Sequence, residues 1–350
     1  MKGTINMIIY GIWTFLAAVL AFIISAVTGK YLIPFLHKLN FGQTIKDIGP
    51  SWHKEKQGTP IMGGIMFIVA ITIVTIISTL VYIFAGDKFI TVYFADIQRE
   101  VVFIFAGLGL ALANGLIGFI DDYTKAVKKR NLGLKAYQKL VLQFAVAIIY
   151  LVVLSAAGYG TSTYIPFAGS VDLGFFYYIL SAILIVGIVN AVNLTDGVDG
   201  LVGSVTFFVA VTFMLIASRL YYLGVTALSA AVAGACLGFL VWNFHPAKVF
   251  MGDTGSLFLG GMVCGLAFAV NMPILLLPVG IIYICEMLSV VLQVGYFKLT
   301  HGKRLFKMSP IHHHFEMCGW SEVKIVTVFS LITAAFGVLS FLLVLFGYSV

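Results

Sequence analysis

Runs of roughly twenty apolar residues recur along the whole chain, separated by short polar stretches, and no other feature restricts its fold as much. A helix needs about 20 such residues to cross the hydrocarbon of a bilayer. Within that layer it must satisfy every backbone N–H and C=O by itself. Ten spans are therefore expected, near 8–28, 61–85, 101–120, 138–158, 174–192, 201–218, 223–243, 256–272, 273–297 and 323–347. Only Asn271-Met-Pro273 separates the eighth from the ninth. Charged residues make up 10% of the 350, against about 25% in soluble domains. The expected fold class is an all-α polytopic membrane protein, a single integral-membrane domain over 1–350. The first span carries Trp13 and Phe22 without a small-residue cleavage site, so it reads as a retained helix and not a signal peptide.

Ten spans sort the connecting segments into two sets. One set (29–60, 121–137, 193–200, 244–255 and 298–322) holds 15 of the 21 Lys and Arg and all seven His. Lys139 and Lys324 lie just inside the adjoining helix ends, while the opposite set and the termini hold only Lys2, Lys88, Arg99 and Arg219. Positive charge marks the cytoplasmic side, so both termini are expected outside and the chemistry is expected at the cytoplasmic face. Attraction to anionic headgroups explains basic loops, but not the acidic motifs among them. Nucleic-acid binding is excluded as a main role, because no soluble basic domain exists to present such a patch.

Five of the 14 acidic residues fall in three short motifs on that face. "GLIGFIDDYTK" ends the third span with Asp121-Asp122, followed by Lys125, Lys128, Lys129 and Arg130. Adjacent carboxylates repel, and a helix C-terminus disfavours anions further. They are either solvated at a helix end or held by a cation. "NAVNLTDGVDGL" places Asp196 and Asp199 three residues apart between glycines, either as an Asx-type turn or as a ligand-facing pair. "VFMGDTGSL" sets Asp253 at a helix start, which is either a phosphate cradle or simply N-capped by Asp253, Thr254 or Ser256. Together, carboxylates with nearby lysines on one face match the oxygen preference of Mg²⁺ and the binding of phosphate. They point to magnesium-dependent phosphoryl transfer.

In order and spacing, "GTPIMGGI", "GFIDDYTK", "NAVNLTDGVDGL", "VFMGDTGSL", "SVVLQVGYFKL" and "PIHHHFE" resemble the polyprenyl-phosphate N-acetylhexosamine-1-phosphate transferase superfamily. Within it, "PIHHHFE" is most similar to the phospho-N-acetylmuramoyl-pentapeptide transferase family; the match runs from about Phe41 to Trp320. The resemblance implies transfer of phospho-MurNAc-pentapeptide from UDP-MurNAc-pentapeptide to undecaprenyl phosphate, forming lipid I and UMP for peptidoglycan. It also implies Mg²⁺ as cofactor, a homodimer and a multi-pass location in the bacterial plasma membrane. By the same resemblance Asp121, Asp122 and Asp253 are the catalytic aspartates, with Asp253 and Asp122 at the metal. Asn190, Asn193, Asp196 and Asp199 surround the nucleotide, Asn243 and Phe250 meet the uridine, and Lys56 stands at the family's basic position; Lys56 and Lys125 are expected among the substrate-binding residues. His312, His313 and His314 form the histidine motif. Three positions depart from the family pattern: Ile61 where Thr is usual, Tyr137 where a basic residue is common, and Val198 for Leu.

Zinc is a poor match for the histidines, which lack a second ligand pair at zinc spacing. In extended chain His312 and His314 share a side and His313 opposes them. A phosphate or sugar contact is expected of the motif, with His314 as a substrate-binding residue and His312 and His313 as catalytic candidates, the first to mutate. Cys236, Cys264, Cys285 and Cys318 show no CxxC spacing and read as buried free thiols. Glu286, deep in the ninth span, reads as a protonated or paired structural group, with an intramembrane functional group as the alternative. The expected mechanism is direct attack by the lipid phosphate, with Asp121 orienting or deprotonating it; a two-step aspartyl-phosphate route is the alternative. A transporter, a docking scaffold and a GlcNAc-1-phosphate transferase are the rival functions. The first would need polar groups at a midplane site between repeats, and the second leaves the ordered aspartates unexplained.

Overall fold

Run length and internal hydrogen bonding produce, among the described residues, ten helices long and apolar enough to cross a membrane, the number expected. The computed structural model describes residues 2–39, 58–89, 97–128 and 133–348. The long helices are α1 (Lys2–Lys38), α2 (Ile65–Phe89), α3 (Ile97–Lys128), α4 (Ala136–Ala156), α5 (Phe176–Thr195), α6 (Leu201–Arg219), α7 (Leu223–Asn243) and α8 (Gly252–Ala269). After a single turn, α9 (Leu276–Val279), come α10 (Ile281–Leu299), the short α11 (Ile311–Glu316) and α12 (Glu322–Gly347).

Three departures from expectation matter. The ninth span does not begin at 273: Pro273–Leu275 forms a 3₁₀ turn, and the spanning helix starts only at Ile281. Pro273 and Pro278 lack the N–H that a continuous helix requires, so the ladder breaks there. Helix α3 runs past Asp121-Asp122 to Lys128, and α8 starts at Gly252 instead of 256. The aspartates therefore stand on helical turns, not in loops. A small antiparallel hairpin also interrupts the all-α pattern, pairing β1 (Ser162–Ile165) with β2 (Gly169–Asp172) and setting Thr163 opposite Val171. Tyr164 N donates to Asn271 O at 3.0 Å and Phe167 N to Gly347 O at 2.9 Å, which fastens the hairpin over the ends of α8 and α12.

Helix α8 is the axis of the bundle, with every residue from Thr254 to Ala269 buried. Burial on all sides demands small residues where neighbours cross, since helix packing without a hydrophobic drive relies on close backbone approach. Helix α3 meets it through Gly107 against Gly265, Ala111 against Gly261, and Gly118 against the Asp253 carbonyl. On the other flank α5 seats Val189 against Gly260. The outer helices expose large apolar side chains, among them Phe15, Ile148, Val291 and Leu331, an apolar surface that suits lipid and not water. Cys236 and Cys264 are buried as expected, but Cys285 and Cys318 are exposed, because each sits on an outward face.

A Cβ at Gly118 would lie 2.1 Å from the Asp253 carbonyl oxygen, whereas one at Gly109 meets nothing within 4 Å. Gly118→Ala is expected to cost about 1–3 kcal/mol through overpacking, measured as a lower unfolding midpoint in detergent. Gly109→Ala should leave that midpoint in place.

Candidate functional site

The first turn of any helix presents N–H groups with no partner in the helix. In α8 they are satisfied by a carboxylate from another helix. Asp122 Oδ2 accepts from Thr254 N at 2.9 Å and from Thr254 Oγ1 at 2.7 Å, and its Oδ1 accepts from Asp253 N at 3.2 Å. An anion at this end also meets the positive end of the helix dipole. Gly252 makes the approach feasible: its φ is +70°, and a Cβ there would lie 2.4 Å from Asp122 Oδ2. The expected N-cap of α8 is thus real, but its acceptor is Asp122, not Asp253, Thr254 or Ser256.

This cap frees the Asp253 side chain to face away, toward two lysines. Lys139 Nζ donates to Asp253 Oδ2 at 2.6 Å and Lys125 Nζ at 3.0 Å, while Asn193 Nδ2 donates to Oδ1 at 2.9 Å. The same two ammonium groups hold Asp121, Lys125 at 2.6 Å and Lys139 at 3.0 Å, and Leu134 N donates to Asp121 Oδ1 at 2.6 Å. Lys125 follows Asp121 by one helical turn, the spacing at which side chains on a helix meet. Carboxylate oxygens of Asp121, Asp122 and Asp253 lie within 4.8 Å of one another. Among the described residues two ammoniums bridge these three carboxylates, so one negative charge is left over. The Asp121 side chain is 0% exposed, against 18% for Asp253, 20% for Lys139 and 31% for Lys125. The cluster therefore opens on its lysine and Asp253 side.

Other expected residues extend outward along the end of α5. Asn193 also donates to Ser256 Oγ at 2.8 Å, and Asn190, one turn earlier, donates to Gln143 Oε1 at 2.7 Å. Asp196 is half-buried at the C-cap of α5. Asp199 is buried and accepts from Ala247 N at 3.0 Å, with His245 Nδ1 at 3.3 Å, while its own N–H donates to Glu322 Oε2 at 3.0 Å. Asn243 joins Gly200 N to Val249 O through its two amide ends, at 3.0 and 2.8 Å. Both side chains hold loops together, and Asn243 keeps a second N–H and a second oxygen lone pair beyond these two bonds for the contact with uridine expected of it. Phe250 is half-buried on an extended segment whose N–H donates to Pro60 O and whose carbonyl receives Gly63 N–H. Lys56 lies outside the described residues.

The histidines differ from expectation in conformation and in partners. They occupy the helical turns of α11, so successive rings point about 100° apart instead of alternating. Each Nδ1 has its own partner: Glu286 Oε2 for His312 at 3.0 Å, Glu316 Oε2 for His313 at 2.5 Å, and Lys307 N for His314 at 3.2 Å. His312 is fully buried, so direct contact with a phosphate does not fit it. His313 and His314 are half-buried.

Lys139, Gln143 and Glu322 escape sequence reasoning, Lys139 being noted only as a topology marker, and Thr254 is expected only as an N-cap, not as a donor to Asp122. The one signal for Lys139 is a cation placed at the start of an apolar helix on the basic side.

Residues 104–271, which run from α3 to the end of α8, match the family model described as glycosyl transferase family 4. Fold and site thus define a multi-helix membrane transferase with a lysine-bridged carboxylate cluster at one end. Over 333 residues the chain is 46% identical to the phospho-N-acetylmuramoyl-pentapeptide-transferase of Heliobacterium modesticaldum, covering 94% of this chain and 97% of that one. The Bacillus subtilis (strain 168) enzyme of the same name is 46% identical over 311 residues, 89% and 91% of the two chains. That of Clostridium botulinum (strain Alaska E43) is 44% identical over 330 residues, 93% and 95%. The chain belongs to the phospho-N-acetylmuramoyl-pentapeptide-transferase family.

Thr254→Val keeps the shape of the side chain but removes its hydrogen bond to Asp122. A loss of about 1 kcal/mol is expected, seen as a lower unfolding midpoint in detergent, and Thr254→Ser should restore most of it.

Proposed function

We propose that this protein transfers phospho-MurNAc-pentapeptide from UDP-MurNAc-pentapeptide to undecaprenyl phosphate, producing lipid I and UMP, at the cytoplasmic face of the bacterial plasma membrane. The observation that carries this reading is the cluster of three carboxylates bridged by Lys125 and Lys139, at the end of the bundle where basic residues gather. Family membership supports the substrates, and the basic loops support the orientation.

The donor set suits magnesium: it is all oxygen, fixed by the α8 cap on one side and by Asn193 on the other, and its three carboxylates outnumber the two ammoniums bridging them among the described residues. Asp253 and the Oδ1 edge of Asp122 would hold the ion, which when bound supplies charge neutralisation for the diphosphate. Lys125 and Lys139, the most exposed members, turn from carboxylate to phosphate oxygens when the donor enters. An oxygen of the lipid phosphate bonds to the sugar-side phosphorus as the bond to the UMP oxygen breaks. Phosphomonoesters lose their second proton at about pH 6, so the attacking oxygen needs no strong base at neutral pH. Asp121 is too deeply enclosed to take a proton from the lipid; it orients the two lysines instead. Positioning and charge cancellation then supply the catalysis, as is general for phosphoryl transfer. The exposed apolar face of α10, with Leu288, Val291 and Leu292, is the wall along which the polyprenyl tail lies. A homodimer is part of the same reading.

UMP release from UDP-MurNAc-pentapeptide, polyprenyl phosphate and Mg²⁺ tests the function, with UDP-GlcNAc as the competing donor. Asp253→Asn should lower turnover by about a thousandfold or more while its unfolding midpoint stays near wild type. EDTA should stop the reaction and Mg²⁺ should restore it. A donor chiral at the transferred phosphorus should react with inversion; net retention would favour the aspartyl-phosphate route. Lys139→Met should cost about ten- to a hundredfold in turnover, and Lys139→Arg clearly less.

A further inference from the structure

Glu286 is fully buried in α10, on the inward stripe it shares with Ile282, Tyr283 and Ser289. A carboxylate in such surroundings is costly unless it is paired and hydrogen-bonded. Its partner is His312, equally buried, through Nδ1 at 3.0 Å to Oε2, with the His312 backbone N–H 3.4 Å from the same oxygen. The second carboxylate oxygen and the second ring nitrogen have no hydrogen-bond partner among the described residues. A buried polar pair kept half-satisfied calls for an explanation other than stability.

The free nitrogen shows where the pair acts. A Cβ at Gly197 would come within 2.2 Å of His312 Nε2, so the ring lies directly against the backbone of that turn. Gly197 is flanked by Asp196 and stands four residues after Asn193, whose amide holds Asp253. The far side of the turn is already fixed, by Asn243 to Gly200 and by Glu322 to Asp199. The His312 ring lies against the near side.

We propose that Glu286 is a positioning residue for the nucleotide donor: through His312 it sets the height of the Gly197 turn, and so the placement of Asp196 and the end of α5. Glu286 touches no substrate, and His312 acts from beneath the turn. This rests on the donor-site reading given above for the 193–200 segment.

Purified full-length protein in detergent, assayed for UMP release with the two substrates varied separately, tests it. Glu286→Gln preserves an acceptor for Nδ1–H and should stay within about threefold of wild type in every constant. Glu286→Leu removes the acceptor; the donor KM should rise about tenfold or more, with kcat and the lipid-phosphate KM within about threefold. Gly197→Ala presses on the ring from the other side without touching Glu286, so it should give the same donor-specific rise even if Glu286→Leu does not fold. Calorimetric binding of UMP should weaken in parallel. Donor KM unchanged in both Glu286→Leu and Gly197→Ala would overturn the proposal. So would a fall in kcat and a rise in both KM values that track a lowered unfolding midpoint, which would mean packing alone. A wild-type protein that neither binds UMP nor releases it would instead sink the functional reading beneath it.

Discussion

The site depends on how closely α3 and α8 approach, and on the carboxylate that closes their junction. Asp122 receives the N–H groups at the start of α8 and Gly118 lies against the carbonyl of Asp253, so the two helices lock at one register. That register brings Asp121 and Asp253 to the same pair of ammonium groups. Had α8 been capped by its own Asp253, as a free helix would be, the carboxylate that faces the lysines would have been spent inside the helix. Cap and site are one arrangement. The glycines along α8 serve it by letting α3, α5 and the start of α2 approach a helix buried on every side.

How much of this is legible in the sequence follows from the range of each interaction. Span number and position depend on local run length, so ten helices are predicted and ten are found among the described residues; the errors fall where backbone chemistry intervenes, at Pro273 and Pro278. The three aspartates stand out because acidic residues are scarce in such a chain and these recur on one face. Lys139 does not stand out, because a lysine at a helix end has an ordinary topological role and only the fold brings it to Asp253. The histidine triplet misleads for the opposite reason. As a tripeptide it looks like one functional unit, yet each ring answers to a different partner, and the one for His312 lies 26 residues away on another helix.

A rival architecture for intramembrane chemistry places polar groups at midplane between related halves. Here the acidic cluster, the α5 turn, the 244–251 segment and α11 adjoin at a single end of the bundle, where basic residues also concentrate. Substrates that differ as much as a water-soluble nucleotide and a lipid phosphate can meet only at such a boundary. A second acidic group, Asp199 with His245 and Glu322, has its ligand atoms equally close together. Its oxygens receive Ala247 and Asp199 N–H groups and so tie loops together as a clasp, whereas the lysine-bridged cluster opens on its Asp253 side.

That distinction between the two acidic groups gives the most direct measurement. Mn²⁺, a paramagnetic stand-in for magnesium, can be titrated into the purified protein and the bound fraction read by electron paramagnetic resonance. The account predicts saturable binding that weakens about tenfold or more in Asp253→Asn and is unchanged in Asp199→Asn. Binding that survives Asp253→Asn, or disappears only in Asp199→Asn, would contradict it.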